Sequence, residues 1–78
     1  MKKTQHTRLY KKLLDELRRA RLNAGLTQLE TAKKLDKHPP FISKIESGER
    51  RVDVIELSEL CRLYNISLSK FLKSIELD

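Results

Sequence analysis

Apolar residues recur at three- and four-residue spacing along almost the whole chain, interrupted only where a helix would have to stop. That period belongs to amphipathic helices, and no useful stretch shows the alternation with period two of a half-buried strand. A first helix is expected from about Leu9 to Asn23, with Leu9, Leu13, Leu14, Leu17, Ala20 and Ala24 on one stripe. Gly25 supplies a left-handed residue to close it, and Leu26 can fold back on the last turn. Thr27 and Glu30 form a capping box that opens a second helix carried by Leu29, Ala32 and Leu35. Pro39-Pro40 ends its approach and is expected to start a third helix, since proline suits the first helical turn. In that helix Ile42 and Ile45 point inward, and Gly48 closes it. A second capping box, Asp53 with Glu56, opens a fourth helix with Val52 and Leu57 as a hydrophobic staple and Val54, Leu57, Leu60, Cys61 and Tyr64 inside. Asn65 is the expected left-handed cap, and Ser67 opens a fifth helix built on Leu68, Phe71, Leu72 and Ile75.

At 78 residues, these five helices make one domain with a core of marginal size, worth about 5–10 kcal/mol at best. Cys61 is the single cysteine, so no internal disulfide forms, and a Cys/His zinc cluster lacks ligands. No metal or cofactor is expected. No apolar run approaches the ~20 residues of a membrane span, and the basic N-terminus is not followed by the apolar segment of a signal peptide. These features point to a cytoplasmic protein with no membrane role.

The formal net charge of +6 is unevenly placed. Residues 1–25 hold eight Lys/Arg against two acids, residues 26–51 six against four, and residues 52–78 three against five. A basic excess in the N-terminal two thirds suits a polyanion such as nucleic acid, although a solvated basic helix gives the same composition. The two shortest helices, second and third, are also joined by the shortest connection, which is the outline of a helix-turn-helix. No phosphate loop, nucleophile with its base, or paired active-site carboxylates can be assembled, so an enzyme is not expected.

Ala24-Gly25-Leu26-Thr27-Gln28, then Glu30, Ala32 and Leu35, then Phe41-Ile42-Ser43-Lys44-Ile45-Glu46-Ser47-Gly48-Glu49-Arg50-Arg51 carry a resemblance. So do Val52-Asp53-Val54-Ile55-Glu56-Leu57 and Asn65-Ile66-Ser67. They resemble the lambda-repressor/Cro-like helix-turn-helix domains, or XRE family, over roughly residues 9–75. The resemblance implies an all-α, compact five-helix lambda-repressor-like domain with the helix-turn-helix at helices 2 and 3. A basic, flexible arm would occupy residues 1–8, where His6 has no role, and a short tail residues 76–78. It further implies a sequence-specific regulator of transcription, a repressor, that reads double-stranded, pseudo-palindromic DNA as a homodimer with helix 3 in the major groove. No small-molecule effector is expected in so short a chain. Leu68 or Ile75, with Leu77 beyond, are the expected dimer seam.

The same resemblance assigns residues. Gln28 would hold a phosphate at the start of helix 2. Arg21 and Glu46 would form a partly buried ion pair. Arg50 and Arg51 would meet the DNA backbone. Pro39, Pro40, Phe41, Ser43 and Lys44 would lie on the outward sides of the recognition helix. Lys44 there reaches either guanine or only phosphate, and Phe41 either touches a thymine methyl or shields the turn. His38 stands beside the phosphates or simply in solvent.

Three departures from the family pattern affect the reading. Asp36 replaces the usual turn glycine, Thr31 takes a core leucine position while Leu29 takes a polar one, and two prolines stand where base-reading side chains are common. Specificity would then lean on few hydrogen bonds or on DNA shape. The competing reading is a protein-interaction module, an antitoxin or anti-repressor, that keeps the fold.

Overall fold

In a computed structural model, the backbone of residues 3–76 and the side chains of residues 8–76 are described. Helix α1 spans Lys3–Asn23, α2 Gln28–Lys34, α3 Phe41–Glu46, α4 Val54–Leu63 and α5 Leu68–Glu76, with no strand among the described residues. Helix α1 therefore begins at Lys3 rather than near Leu9, and helical backbone runs through most of the segment expected as an arm. Residues 1, 2, 77 and 78 lie outside the described residues.

The helix ends follow local chemistry. At Gly25 (φ 76°) the chain turns left-handed, the Leu26 N–H donates to the Arg21 carbonyl at 3.2 Å, and the Gly25 N–H to the Leu22 carbonyl at 3.0 Å. The same closure ends α2 on Asp36 (φ 59°) and α4 on Asn65 (φ 62°). There the Lys37 N–H reaches the Ala32 carbonyl at 2.9 Å and the Ile66 N–H the Cys61 carbonyl at 2.9 Å. Both capping boxes form: the Thr27 hydroxyl accepts the Glu30 N–H at 3.0 Å, and the Asp53 carboxylate the Glu56 N–H at 2.7 Å.

Helix α3 starts at Phe41, not at Pro39. A helix beginning at Pro39 would have the His38 carbonyl accept from Ile42, but the Phe41 N–H takes it at 3.0 Å in a tight turn. Pro40 (φ −81°, ψ 6°) becomes the N-cap, and its carbonyl accepts the first helical bond, from the Lys44 N–H at 3.0 Å.

The core is one cluster to which every helix contributes: Leu14 and Leu17, Ala32, Phe41 with Ile42 and Ile45, Leu57 with Leu60 and Cys61, then Tyr64, Phe71 and Ile75. Ala32 is 1% exposed where α2 meets α3. Thr31 fills its core position without an unpaired hydroxyl, since it donates to the Thr27 carbonyl at 2.9 Å. Burial pushes the Tyr64 phenol up to about 12 and the Cys61 thiol upward as well. Several assignments change, Leu9 (53% exposed) and Leu72 (38% exposed) leaving the inner stripes among them. Val54 is 62% exposed, because it is the first residue of α4 and the inner stripe starts at Leu57. Ile75 is buried at 5% in the core, which removes it from the expected dimer seam; Leu68 is only half-buried.

Candidate nucleic-acid interface

The placement of α3 depends on a charge buried behind it. Arg21, near the end of α1, donates through Nε to Glu46 Oε2 at 2.7 Å and through Nη2 to Oε1 at 3.1 Å, and both side chains are 6% exposed. Its Nη1 donates to the Leu26 carbonyl at 2.8 Å, and the Gln28 amide donates to Glu46 Oε1 at 3.0 Å. The Arg21 pKa is raised, chiefly by its hydrogen bond to Glu46, against the opposing effect of burial. One carboxylate thus collects the end of α1, the start of α2 and the end of α3.

With Ile42 and Ile45 each 1% exposed, α3 turns Lys44 fully outward and Ser43 partly so. Among the described residues the Lys44 ammonium has no partner, while the Ser43 hydroxyl donates to the Pro40 carbonyl at 3.1 Å. His38, Pro39 and Pro40 are exposed beside them. Phe41 is not. It is 2% exposed, so it belongs to the core and its burial removes the expected contact with a thymine methyl. It stands one turn before Ile45 on α3, at i, i+4, and shares that residue's inward face.

The loop after α3 separates its two arginines. Arg50 makes a bidentate pair with Glu56, Nη1 to Oε1 and Nη2 to Oε2, both at 2.9 Å, and its guanidinium lies 5.0 Å from the Phe41 ring centre. Expected at the DNA backbone, Arg50 thus already has a structural partner, with Glu56 at the Nη1/Nη2 end of its guanidinium. The Arg50 guanidinium holds the Glu56 carboxyl below the usual carboxylate range. Arg51 is exposed and stacks 4.4 Å over the Tyr10 ring, with no carboxylate partner among the described residues.

Three contributors escaped the sequence reading. Tyr10 has no place in the apolar stripe expected for the first helix, and Glu56 is expected only as half of a capping box. Lys37 has no expected role, yet its ammonium stands 5.3 Å from the Phe41 ring centre at the head of α3. Its place two residues before the proline pair was the only available signal. Gln28 is half-buried with its amide turned toward Glu46.

A helix held from behind by a buried ion pair, open in front, and flanked by Lys37, Lys44 and Arg51 defines a helix-turn-helix DNA-binding domain. The chain belongs to the XRE family of such domains, whose members are DNA-binding regulators rather than enzymes: the family described as "Helix-turn-helix" matches residues 17–71. It is also similar to the solved structure of an XRE-family like protein from Pseudomonas syringae pv. tomato str. DC3000. Identity to that protein is 43%, with 95% of this chain and 90% of that one covered and a TM-score of 0.90. No curated protein matches. Among the described residues no helix is long and apolar enough to cross a membrane, and no His/Cys/Asp/Glu cluster could hold a metal ion.

Proposed function

We propose that this chain is a cytoplasmic, sequence-specific transcriptional repressor that binds pseudo-palindromic duplex DNA as a homodimer, with α3 in the major groove and no small-molecule effector. The unpartnered Lys44 carries the reading: it is the outward long cation of a helix whose other face is anchored by Ile42 and Ile45. A lysine so held can donate to the O6 and N7 acceptors of guanine. Ser43, His38, Pro39 and Pro40 border the same contact. Gln28 keeps one amide hydrogen for a phosphate after donating the other to Glu46. Arg51 takes the backbone role that Arg50 does not. Residues of α5 that remain accessible, Leu68 and Leu72, supply the dimer seam, and two-fold sites should then repeat at about one helical turn, ~34 Å.

Titrating mixed-sequence duplex at two salt concentrations tests the class, because a phosphate-neutralising binder loses affinity steeply with salt. Selection from a random duplex pool then tests readout. Lys44→Ala should cost ~1–3 kcal/mol on the preferred site and relax one base position per half-site. An unchanged preference with uniformly weaker binding would assign Lys44 to phosphate. A protein-interaction module, antitoxin or anti-repressor, is the second reading, favoured by the 62% and 65% exposure of adjacent Val54 and Ile55. Binding to no duplex at any salt would select it.

A further inference from the structure

Arg50 and Arg51 are chain neighbours with opposite surroundings. Arg50 is held at its edge by Glu56 and on its face by Phe41. The Arg51 guanidinium carbon lies 4.4 Å over the centre of the Tyr10 ring, and no carboxylate pairs with it among the described residues. Tyr10 also fixes the backbone beside it: its hydroxyl accepts the Val52 N–H at 3.1 Å, across 42 positions of sequence. One side chain of α1 therefore holds both the head group of Arg51 and the residue that follows it.

We propose that Tyr10 is a positioning residue for DNA binding, holding Arg51 flat and pre-oriented as a fork for a phosphodiester oxygen of the duplex backbone. The inference rests on the proposed DNA-binding function. A stack on the ring covers the π face of the guanidinium and leaves free the edge that carries its N–H donors. An unsupported arginine loses much rotamer freedom when it grips a phosphate, and the stack removes part of that loss before DNA arrives. No acidic side chain among the described residues competes for the Arg51 edge, in contrast to Arg50 one position earlier.

A double-mutant cycle on the full chain, read as affinity for a mixed-sequence duplex at about 0.1 M salt, tests this. Arg51→Ala should weaken binding roughly three- to tenfold in the unsubstituted protein, and less than about twofold when Tyr10→Leu is already present. Tyr10→Phe, which keeps the ring and loses the Val52 anchor, should fall between wild type and Tyr10→Leu. Thermal melting checks that each variant is folded. If Tyr10→Leu is not, Arg51→Lys tests the same geometry from the other side: a lysine keeps the charge without the flat fork, and should lose most of what Arg51→Ala loses. Equal costs of Arg51→Ala in both backgrounds, or full activity of Arg51→Lys, overturn the positioning role while leaving the domain a DNA binder. Failure of the unsubstituted protein to bind duplex overturns both.

Discussion

Arg21 and Arg50 each grip a glutamate with two nitrogens, one inside the molecule and one at its surface, and the two pairs brace the recognition helix from opposite ends of the same problem. Arg21–Glu46 fixes where α3 lies relative to α1 and α2, with both side chains 6% exposed. Arg50–Glu56 fixes how the chain leaves α3, with side chains 41% and 14% exposed. A buried pair that loses one member strands a charge in low dielectric, whereas a surface pair that loses one member returns the other to water. Similar two-pronged geometries therefore carry different consequences, and burial decides which.

The largest effect is expected at the inner pair. Arg21→Ala and Glu46→Ala should each cost about 3 kcal/mol in unfolding experiments, and the double variant less than the sum, because the stranded charge is gone. Strict additivity would break the contrast at its stronger side. Next comes Gln28→Ala, which removes one donor from a carboxylate that keeps two others. About 1 kcal/mol is expected in the same measurement. The smallest effect is expected for Glu56→Gln, a slight lowering of the melting temperature at neutral pH that fades at about 1 M salt. Its pH dependence has a fixed direction. Arg50 depresses the Glu56 pKa in the folded state, so the stabilisation is complete above the ordinary carboxylate range and is lost as pH falls through the folded-state value. The gap between wild type and Glu56→Gln should therefore be widest near neutrality and close in acid. A gap that widened in acid would refute the pairing.

What the sequence revealed was whatever a few neighbouring residues decide. Thr27 with Glu30 and Asp53 with Glu56 set helix starts by bonds within four residues, and Gly25 and Asn65 set helix ends in the same way. Asp36 stands where the resemblance has a turn glycine, which implies a left-handed backbone, and its φ is 59°. The Arg21–Glu46 pair was readable only through the family resemblance, since it joins residues 25 positions apart. The misses share a cause. Phe41 lies four residues before Ile45 and so shares its inward face, but whether that part of the first turn is covered depends on how α3 packs on the rest of the core. Val54 and Ile75 carry the same apolar chemistry, yet only packing by other helices separates one at 62% exposure from the other at 5%. Arg50 and Arg51 differ by partners, Glu56 and Tyr10, that no local pattern assigns to them.

Cys61 is the single thiol of the chain, 1% exposed on α4, with burial holding its pKa above that of a free cysteine. Alkylation requires a thiolate in contact with reagent, and the native packing denies both. The reaction therefore proceeds only from molecules that have opened around α4, so the ratio of its rate to that of a free thiol reads the population of that open form. The chain thus carries its own clock for local unfolding, in a position that no proposed DNA contact touches. Slower labelling when duplex is added would measure how far DNA binding tightens the packing around α4.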